Sequence, residues 1–552
     1  MTSPDQSSVP VRAAFDLTTE PWIPVVRGGV ETEVSLRDAV LLAHEIDSLS
    51  FADGPQFAGL LRLLSALVMS AYGKPRDRDQ WAELYRGGSF ETADLDAYFE
   101  RIGRSRFDLF DADRPFFQSA AVTDDPKTNA EIMPHVAAGN TPPIFSPDTE
   151  KKPRSLTPAQ AARTLVGFMA VAVAGLGRAK AIEGSGWAGA SFGGRVGQIG
   201  FIAPVGVTLF DTILLNMPIG VGTKGDQPQW ERTDAPPAGR AKRAATGVLD
   251  MLTWCPRRVK LIANEDGTVT HLRMLGGDGL TVLDKQFEPH TEWRTSDGKD
   301  GRTPGDVYQR KHLIRTLGWR GLPNLLALRK TSAGDESSML FIQLSHLDSV
   351  LPEDYPISIA GLNCEYGNMA ATFADITFDV FSLPFRAFGP NEGDVRADLT
   401  ELVQRADRVA RLVRTLAWSV SRVVLRDSGK DAPYATAYAG TLTARFTTDV
   451  EAVTRRFLAG LTAHPRAVDA GIEAWDQGVY KLALRYRDEV VATATGCLFD
   501  ILVSTAGGTR KVLAMPPTVS DGKFHDDLGA LIAHPATAAA ALATESAEEL
   551  SA

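Results

Sequence analysis

The 552-residue chain reads as an α+β protein: a large mixed α/β N-terminal domain over residues 13–392, followed by a C-terminal helical (four-helix) bundle over 393–552. Two observations carry this. From Leu399 the apolar residues fall at 399, 402, 403, 406, 409, 410, 413, 416, 417, 420, 423 and 424, a sustained helical period. Before about residue 390 short apolar runs alternate with helical stretches and long Pro/Gly loops, the texture of mixed strands and helices. Residues 1–12 are polar with little to bury and read as a disordered N-terminus, as do residues from about 540 onward.

Taken in order, Trp22–Val26, Phe201–Leu215, Arg258–Ala263 and Met339–Leu344 read as β-like runs. Phe57–Tyr72 is a well-patterned helix. Met133–Pro153 is a loop with five prolines, a length that inside a domain marks function or disorder. The segment "FGPNEGD" (Phe388–Asp394) reads as the linker before the bundle. After the first bundle helix, further helices are expected over about 436–462, 466–505 and 525–545.

Composition narrows the function classes. Hydrophobic residues make up 44% and charged residues 23%, ordinary for a soluble globular chain. Cys255, Cys364 and Cys497 are far apart and form no CxxC pair, so a disulfide framework or structural zinc is not expected and a reducing cytoplasm fits. The start "MTSPDQSSVPVRAAF" lacks a basic segment followed by an apolar run, and the longest apolar run, Thr164–Gly177, is too short to span a bilayer; no membrane association is expected. The net charge of −10 disfavours a free-standing nucleic-acid binder, so such a role would rest on local basic patches or on partners. None of the nine histidines sits in an H-E-x-x-H pattern. Only "HDD" (His525–Asp527) suggests a metal-dependent phosphohydrolase, and a helix-start aspartate explains it as well. The expectation is a protein that is not an enzyme and has no metal or cofactor.

Three stretches stand out instead. "GSGWAGASFGGRVGQIG" (184–200) opens with a literal G-x-G-x-x-G, Gly184 to Gly189. No βαβ pattern surrounds it, and the later glycines would weaken a following helix, against a dinucleotide loop. Trp187, Phe192 and Ile199 interrupt it, against a flexible linker. What remains is a backbone that lies close against a partner, since glycine has no Cβ. Val307–Lys330 carries Arg310, Lys311, Arg315, Arg320, Arg329 and Lys330 without an acid, interleaved with Tyr308 and Trp319. That pattern suits phosphate contact with stacking, or a solvated basic helix. Arg405, Arg408, Arg411, Arg414, Arg422 and Arg426 occupy roughly half the circumference of the first bundle helix, opposite its apolar stripe, as an anion-binding arc or an ordinary solvated face.

The order and spacing of several segments resemble one family: the large subunit (CasA family) of the type I-E CRISPR Cascade surveillance complex. "FDLTTEPWIPVV" (Phe15–Val26) looks like its opening strand. "RPFFQSA" (Arg114–Ala120) is similar to its His-Pro-Phe-x-Gln segment, and "PPIFSPD" (Pro142–Asp148) resembles the aromatic entry to its mobile loop. "VGVTLFDTILLNMP" (Val205–Pro218) matches the strand after its glycine loop. The resemblance implies a non-catalytic subunit that recognises the PAM in double-stranded DNA from the minor groove, promotes R-loop formation and recruits a helicase–nuclease for antiviral defence. Its implied partners are other Cascade subunits, CRISPR guide RNA, the target duplex and its displaced strand. The glycine loop then falls on Gly184, Gly186, Trp187, Ala188 and Gly189, with Trp187 and Ala188 where relatives often have glycine. Asn368 and Met369 take the place of the wedge beside the PAM, Met369 standing in for the usual glutamine-led pattern. Lys285 is the candidate minor-groove lysine, and Phe145 the candidate contact to guide RNA or a neighbouring subunit. Arg408, Arg411, Arg414 and Arg422 form the candidate displaced-strand patch, beside the basic stretch of Arg310, Lys311, Arg315 and Arg320. Two readings from other classes stand against this: a metal-dependent nuclease or phosphohydrolase built on His525 and Asp526, and a pure scaffold without nucleic-acid contact.

Overall fold

The structure is a computed structural model and describes residues 14–136, 149–176, 190–232, 242–299, 301–309, 318–367, 372–390, 392–427, 429, 431–506 and 509–532. The chain divides into two compact units, residues 1–352 with 356–380, and residues 353–355 with 381–552. The division falls between Val380 and Phe381. Phe385, Ala387 and Phe388 are buried in a short 3-10 turn, so apolar packing makes part of the expected linker a structural segment.

The N-terminal unit is built around the helix Gly54–Tyr72. Asp53 caps it by accepting from the Gln56 amide at 2.9 Å, Pro55 sits in its first turn, and every residue from Phe57 to Met69 is buried. Such all-round burial marks a central helix rather than an amphipathic surface one. It packs on the helix Pro158–Val171, which starts with a Thr157/Gln160 capping box. Small sheets surround this pair. Ile23–Arg27 lies between Val30–Val34 and Ser48–Leu49, and Arg257–Ala263 pairs antiparallel with Val269–Gly276. In a third sheet Pro356–Gly367 lies between Phe201–Val205 and Thr372–Pro384, with Leu362 opposite Phe201.

Two of the expected β-like runs fold differently. Phe201–Leu215 is a strand only to Val205; Thr208 then caps the helix Leu209–Leu215 in a reciprocal bond pair with Asp211. A short apolar run does not distinguish buried strand from buried helix, and here the capping side chains decide. Met339–Leu344 is likewise a helix, begun at Ser338.

The C-terminal unit is a helical bundle with a β-insertion. Gly393–Val424 packs against Pro433–Ala463, Val468–Ala492 and Pro517–Leu531. Its buried residues include Leu399, Leu402, Ala406, Val409, Val413, Leu416 and Val420, the three-and-four spacing of a core stripe. The helix expected over 466–505 ends at Ala492 and is followed by the antiparallel hairpin Leu502–Ala506/Thr509–Ala514. The alternating β-branched and polar residues of "ILVSTAGGTRKVLA", split by two glycines, are a hairpin pattern that the helical reading overran.

Candidate nucleic-acid interface

Two segments singled out in the sequence are rooted at one place. Beyond the helix Pro158–Val171, Gly175–Leu176 pairs antiparallel with Ala190–Ser191, which sets residues before the glycine-rich segment beside residues within it. Arg257 clasps both stems: its guanidinium donates to the carbonyl of Val173, ahead of the segment, and to that of Phe192, within it. Arg195 donates to the Gly193 carbonyl at 3.0 Å, and burial lowers its pKa to about 10, which leaves it charged at neutral pH.

Tyr366 joins the second segment to the first. It lies on Pro356–Gly367, two positions before Asn368, and its hydroxyl donates to the Val171 carbonyl at 2.9 Å. Its ring lies 5.4 Å from that of Phe373, on the strand that returns from the same hairpin end. Burial raises the phenol well above its ordinary value, so it remains a neutral donor. The later glycines of the run make this contact possible. A Cβ on Gly197 would sit 1.7 Å from the Tyr366 hydroxyl, and one on Gly194 would sit 2.3 Å from the Ala170 carbonyl oxygen. These two glycines therefore serve close packing at the root.

Beneath the junction the sheet is anchored in the core. Arg62 donates to both oxygens of Glu288, at 2.6 and 3.1 Å, and to the Met251 carbonyl at 2.7 Å. His290 pairs with the Asn216 amide oxygen through Nε2 at 3.0 Å, and its carbonyl accepts from the Ile202 amide at 2.9 Å. All four side chains are buried. Burial pushes the His290 imidazole down to about 4; for Glu288 burial acts upward, but Arg62 and His290 prevail and hold its carboxyl at about 2. The network fixes the strand Phe201–Val205, which pairs with the strand that carries Tyr366.

Of the candidate site residues, Gly184, Gly186, Trp187, Ala188, Gly189, Asn368, Met369, Phe145, Arg310, Lys311 and Arg315 lie outside the described residues, and the structure places only their flanks. Lys285 forms an ion pair with Glu336 at 2.6 Å, which ties it to the sheet of Trp293–Thr295 rather than to the Tyr366 junction. The basic stretch is not one helix: Val307–Gln309 is a strand and Gly318–Gly321 a 3-10 turn. Trp319 is buried with the Arg320 guanidinium 4.5 Å from its ring, and Arg302 covers Tyr308 at 3.9 Å.

The arginine arc divides. Arg405 is held by Asp476 of the third bundle helix at 2.8 and 2.6 Å, and Arg408 by Glu401 at 2.6 Å. Arg411 and Arg414 are exposed and form no ion pair among the described residues. Arg422 is corrected: it is only 6% exposed and turns inward, donating to the carbonyls of Asp427, Gly429 and Leu513 at 3.1, 3.2 and 3.0 Å. The reason is the helix end, where the turn and the adjoining hairpin present carbonyls that need a donor. The nuclease reading gains no support in geometry. His525 reaches Asp521 only at 4.0 Å, that aspartate is bound by Arg487, and no group of three or more His, Cys, Asp or Glu suited to a metal occurs among the described residues. No described helix is long and apolar enough to cross a membrane.

Tyr366 and Arg257, the residues that organise the junction, were not among the sequence candidates. Tyr366 stands inside "EYGNMAA", where an aromatic before the Gly-Asn pair is the only local signal. Arg257 had none.

Residues 16–486 match the family model described as CRISPR-associated protein Cse1. The Thermus thermophilus protein CRISPR-associated protein CasA/Cse1 is 33% identical over 279 residues, which span 49% of this chain and 53% of that relative. The matched region thus covers about half the length of that curated relative. Among solved structures, Cse1 from Acidimicrobium ferrooxidans superposes with a TM-score of 0.74 at 26% identity, and Thermobifida fusca Cse1 with 0.78 at 24%, each over 94% of this chain and 98% of the other. A chain of a CRISPR RNA-guided surveillance complex shares the fold with a TM-score of 0.71 at 17% identity, over 93% of this chain and 99% of that one.

Proposed function

The chain belongs to the CRISPR-associated protein Cse1 family, and from that membership we propose that it acts as the non-catalytic large subunit of a cytoplasmic RNA-guided Cascade complex in antiviral defence. It recognises the PAM in double-stranded DNA from the minor groove, promotes duplex opening and R-loop formation, and recruits a helicase–nuclease. Its partners are the other Cascade subunits, the guide RNA through Phe145, the PAM duplex and the displaced strand.

The observation that carries this reading is the common root of the two sequence-picked segments at Tyr366 and Arg257. A minor groove about 6 Å wide admits backbone where bulky side chains do not fit, and its edge presents acceptors to backbone N–H groups. A wedge that unstacks the neighbouring base step costs a few kcal/mol, recovered only if the groove reader holds the duplex at that step. Both devices must therefore hang from one rigid support, which is what the Tyr366–Val171 bond and the Arg257 clasp supply. The net charge of −10 fits a subunit whose complex delegates affinity to guide pairing and to other chains. Within the patch of Arg408, Arg411, Arg414 and Arg422, Arg411 and Arg414 are the members left to meet the displaced strand.

The test uses the assembled complex. Gly184→Asp with Gly186→Asp and Gly189→Asp abolishes binding to a PAM-bearing duplex while binding to a single-stranded target survives. Equal loss on both substrates with assembly intact overturns the reading. Asn368→Ala with Met369→Gly slows R-loop formation, and a target melted beside the PAM restores it.

A further inference from the structure

Arg257 has a second surroundings that the PAM reading does not use. It borders a cavity of about 260 Å³ whose wall also carries Arg106, Arg114, Arg232 and Arg258, against the single acid Asp113. Five guanidiniums around one small space repel one another unless something negative stands among them. Part of that charge is balanced behind the wall, where Arg258 meets Asp278 at 2.7 Å and Arg232 meets Asp250 at 3.4 Å. Arg106 and Arg114 form no ion pair among the described residues; Arg106 donates to the Trp230 carbonyl at 3.0 Å. Burial and then the neighbouring Arg114 push its pKa down, and together they outweigh Asp111 and Glu231, which act upward. The Nε of Arg258, a residue 3% exposed, meets no acceptor among the described residues.

The wall also carries Phe116, Phe117 and Trp230, beside Gln118 and Gln229. The rings of Phe117 and Trp230 lie 6.1 Å apart and keep 8% and 5% of their surface open. Phe117 also holds φ at 55°, left-handed backbone that a non-glycine residue adopts at a cost of roughly 1–3 kcal/mol and that concentrates at binding sites. A small cavity lined by both excess guanidinium charge and aromatic rings fits a phosphate joined to a planar base. We propose that this cavity binds one phosphorylated nucleotide, its phosphate on Arg106 and Arg114 and its base against Phe117 and Trp230. The ligand is either a free nucleoside monophosphate or the phosphorylated end of a single strand, which share one phosphate and one base. The site does not rest on the PAM reading, because none of its lining residues belongs to the glycine segment or the hairpin end.

The experiment titrates the full chain with 5′-AMP, adenosine, inorganic phosphate and a 5′-phosphorylated RNA tetramer, by calorimetry at low salt. AMP binds at least about tenfold more tightly than adenosine and than phosphate, a difference of about 1.4 kcal/mol. Arg114→Gln, at an exposed position that leaves the fold intact, weakens AMP about tenfold. Arg106→Gln does the same, and Arg106→Lys loses less. Tighter binding of the tetramer than of AMP assigns a strand end, the reverse a free nucleotide, and either supports the site. Equal binding of AMP and adenosine, equal binding of AMP and phosphate, or AMP binding unchanged in Arg114→Gln overturns it. Gly184→Asp retains AMP binding while losing the PAM duplex; if AMP binding is lost as well, the cavity is not a separate site.

Discussion

In the N-terminal unit Arg62 and Arg257 are buried and hold structural partners: a carboxylate, backbone carbonyls, the residues flanking the glycine-rich segment. In the C-terminal unit the first bundle helix carries its arginines on the face away from the apolar stripe, yet they grade from spent to available along a single helix. Arg405 and Arg408 are paired, Arg411 and Arg414 are open, and Arg422 is buried on three carbonyls. The comparison teaches that arginine count is a poor measure of anion affinity. What matters is how many guanidiniums the fold has not already satisfied. Removing a satisfied one costs stability, because its partners are left buried without a donor; removing an open one costs only binding.

The largest effect is expected at the buried pair. Arg62→Met removes the guanidinium that balances Glu288 in the core and destabilises the N-terminal unit by about 3–5 kcal/mol, read by chemical denaturation. The same network sets a pH dependence. His290 titrates near 4 in the folded chain against an ordinary 6.5, so the unfolded chain binds more protons between those values. Stability is full above about pH 6.5 and falls as pH drops toward 4, by roughly 3 kcal/mol. Glu288, held at about 2 against an ordinary 4.5, extends the loss below pH 4.5. His290→Gln flattens the slope between pH 6.5 and 4; an unchanged slope would show that another group carries it.

Next comes the junction root. Gly194→Ala sets a Cβ against backbone, which cannot swing aside as a side chain can, and costs about 3 kcal/mol. Gly197→Ala meets the Tyr366 hydroxyl and is relieved in Tyr366→Phe, a compensation readable in the double variant.

In the bundle, Arg422→Ala leaves three carbonyls without their donor and lowers stability by about 2 kcal/mol. Arg411→Gln with Arg414→Gln stays within about 0.5 kcal/mol of the parent. That pair is instead read in R-loop lifetime against salt. Losing two single-strand phosphate contacts flattens the log–log salt slope by about 1.4. A slope that does not change, or that changes equally when the displaced strand is omitted, removes these two arginines from strand binding.

Much of this was legible in one dimension. The apolar period from Leu399 locates the first bundle helix because 3.6 residues per turn is a local property of the backbone. The same geometry placed the arginines opposite the stripe. The glycine run announced a close backbone approach, and two of its glycines make one, at Gly194 and Gly197. Where the reading failed, the deciding partner lay far along the chain. Asp476, which holds Arg405, is 71 positions away, and the Leu513 carbonyl that draws Arg422 inward is 91 positions away. Arg257 and Val173, 84 positions apart, carry no mutual signal at all.

By itself, then, the sequence determined the class of fold, the location of the bundle and the pattern that marks the family, since periodicity, capping and segment order are written residue by residue. Only the tertiary structure decided which charges remain unspent and which loops share a root. Hydrogen bonds and ion pairs are satisfied by whatever group arrives in space, and that group is fixed by packing, not by its distance along the chain.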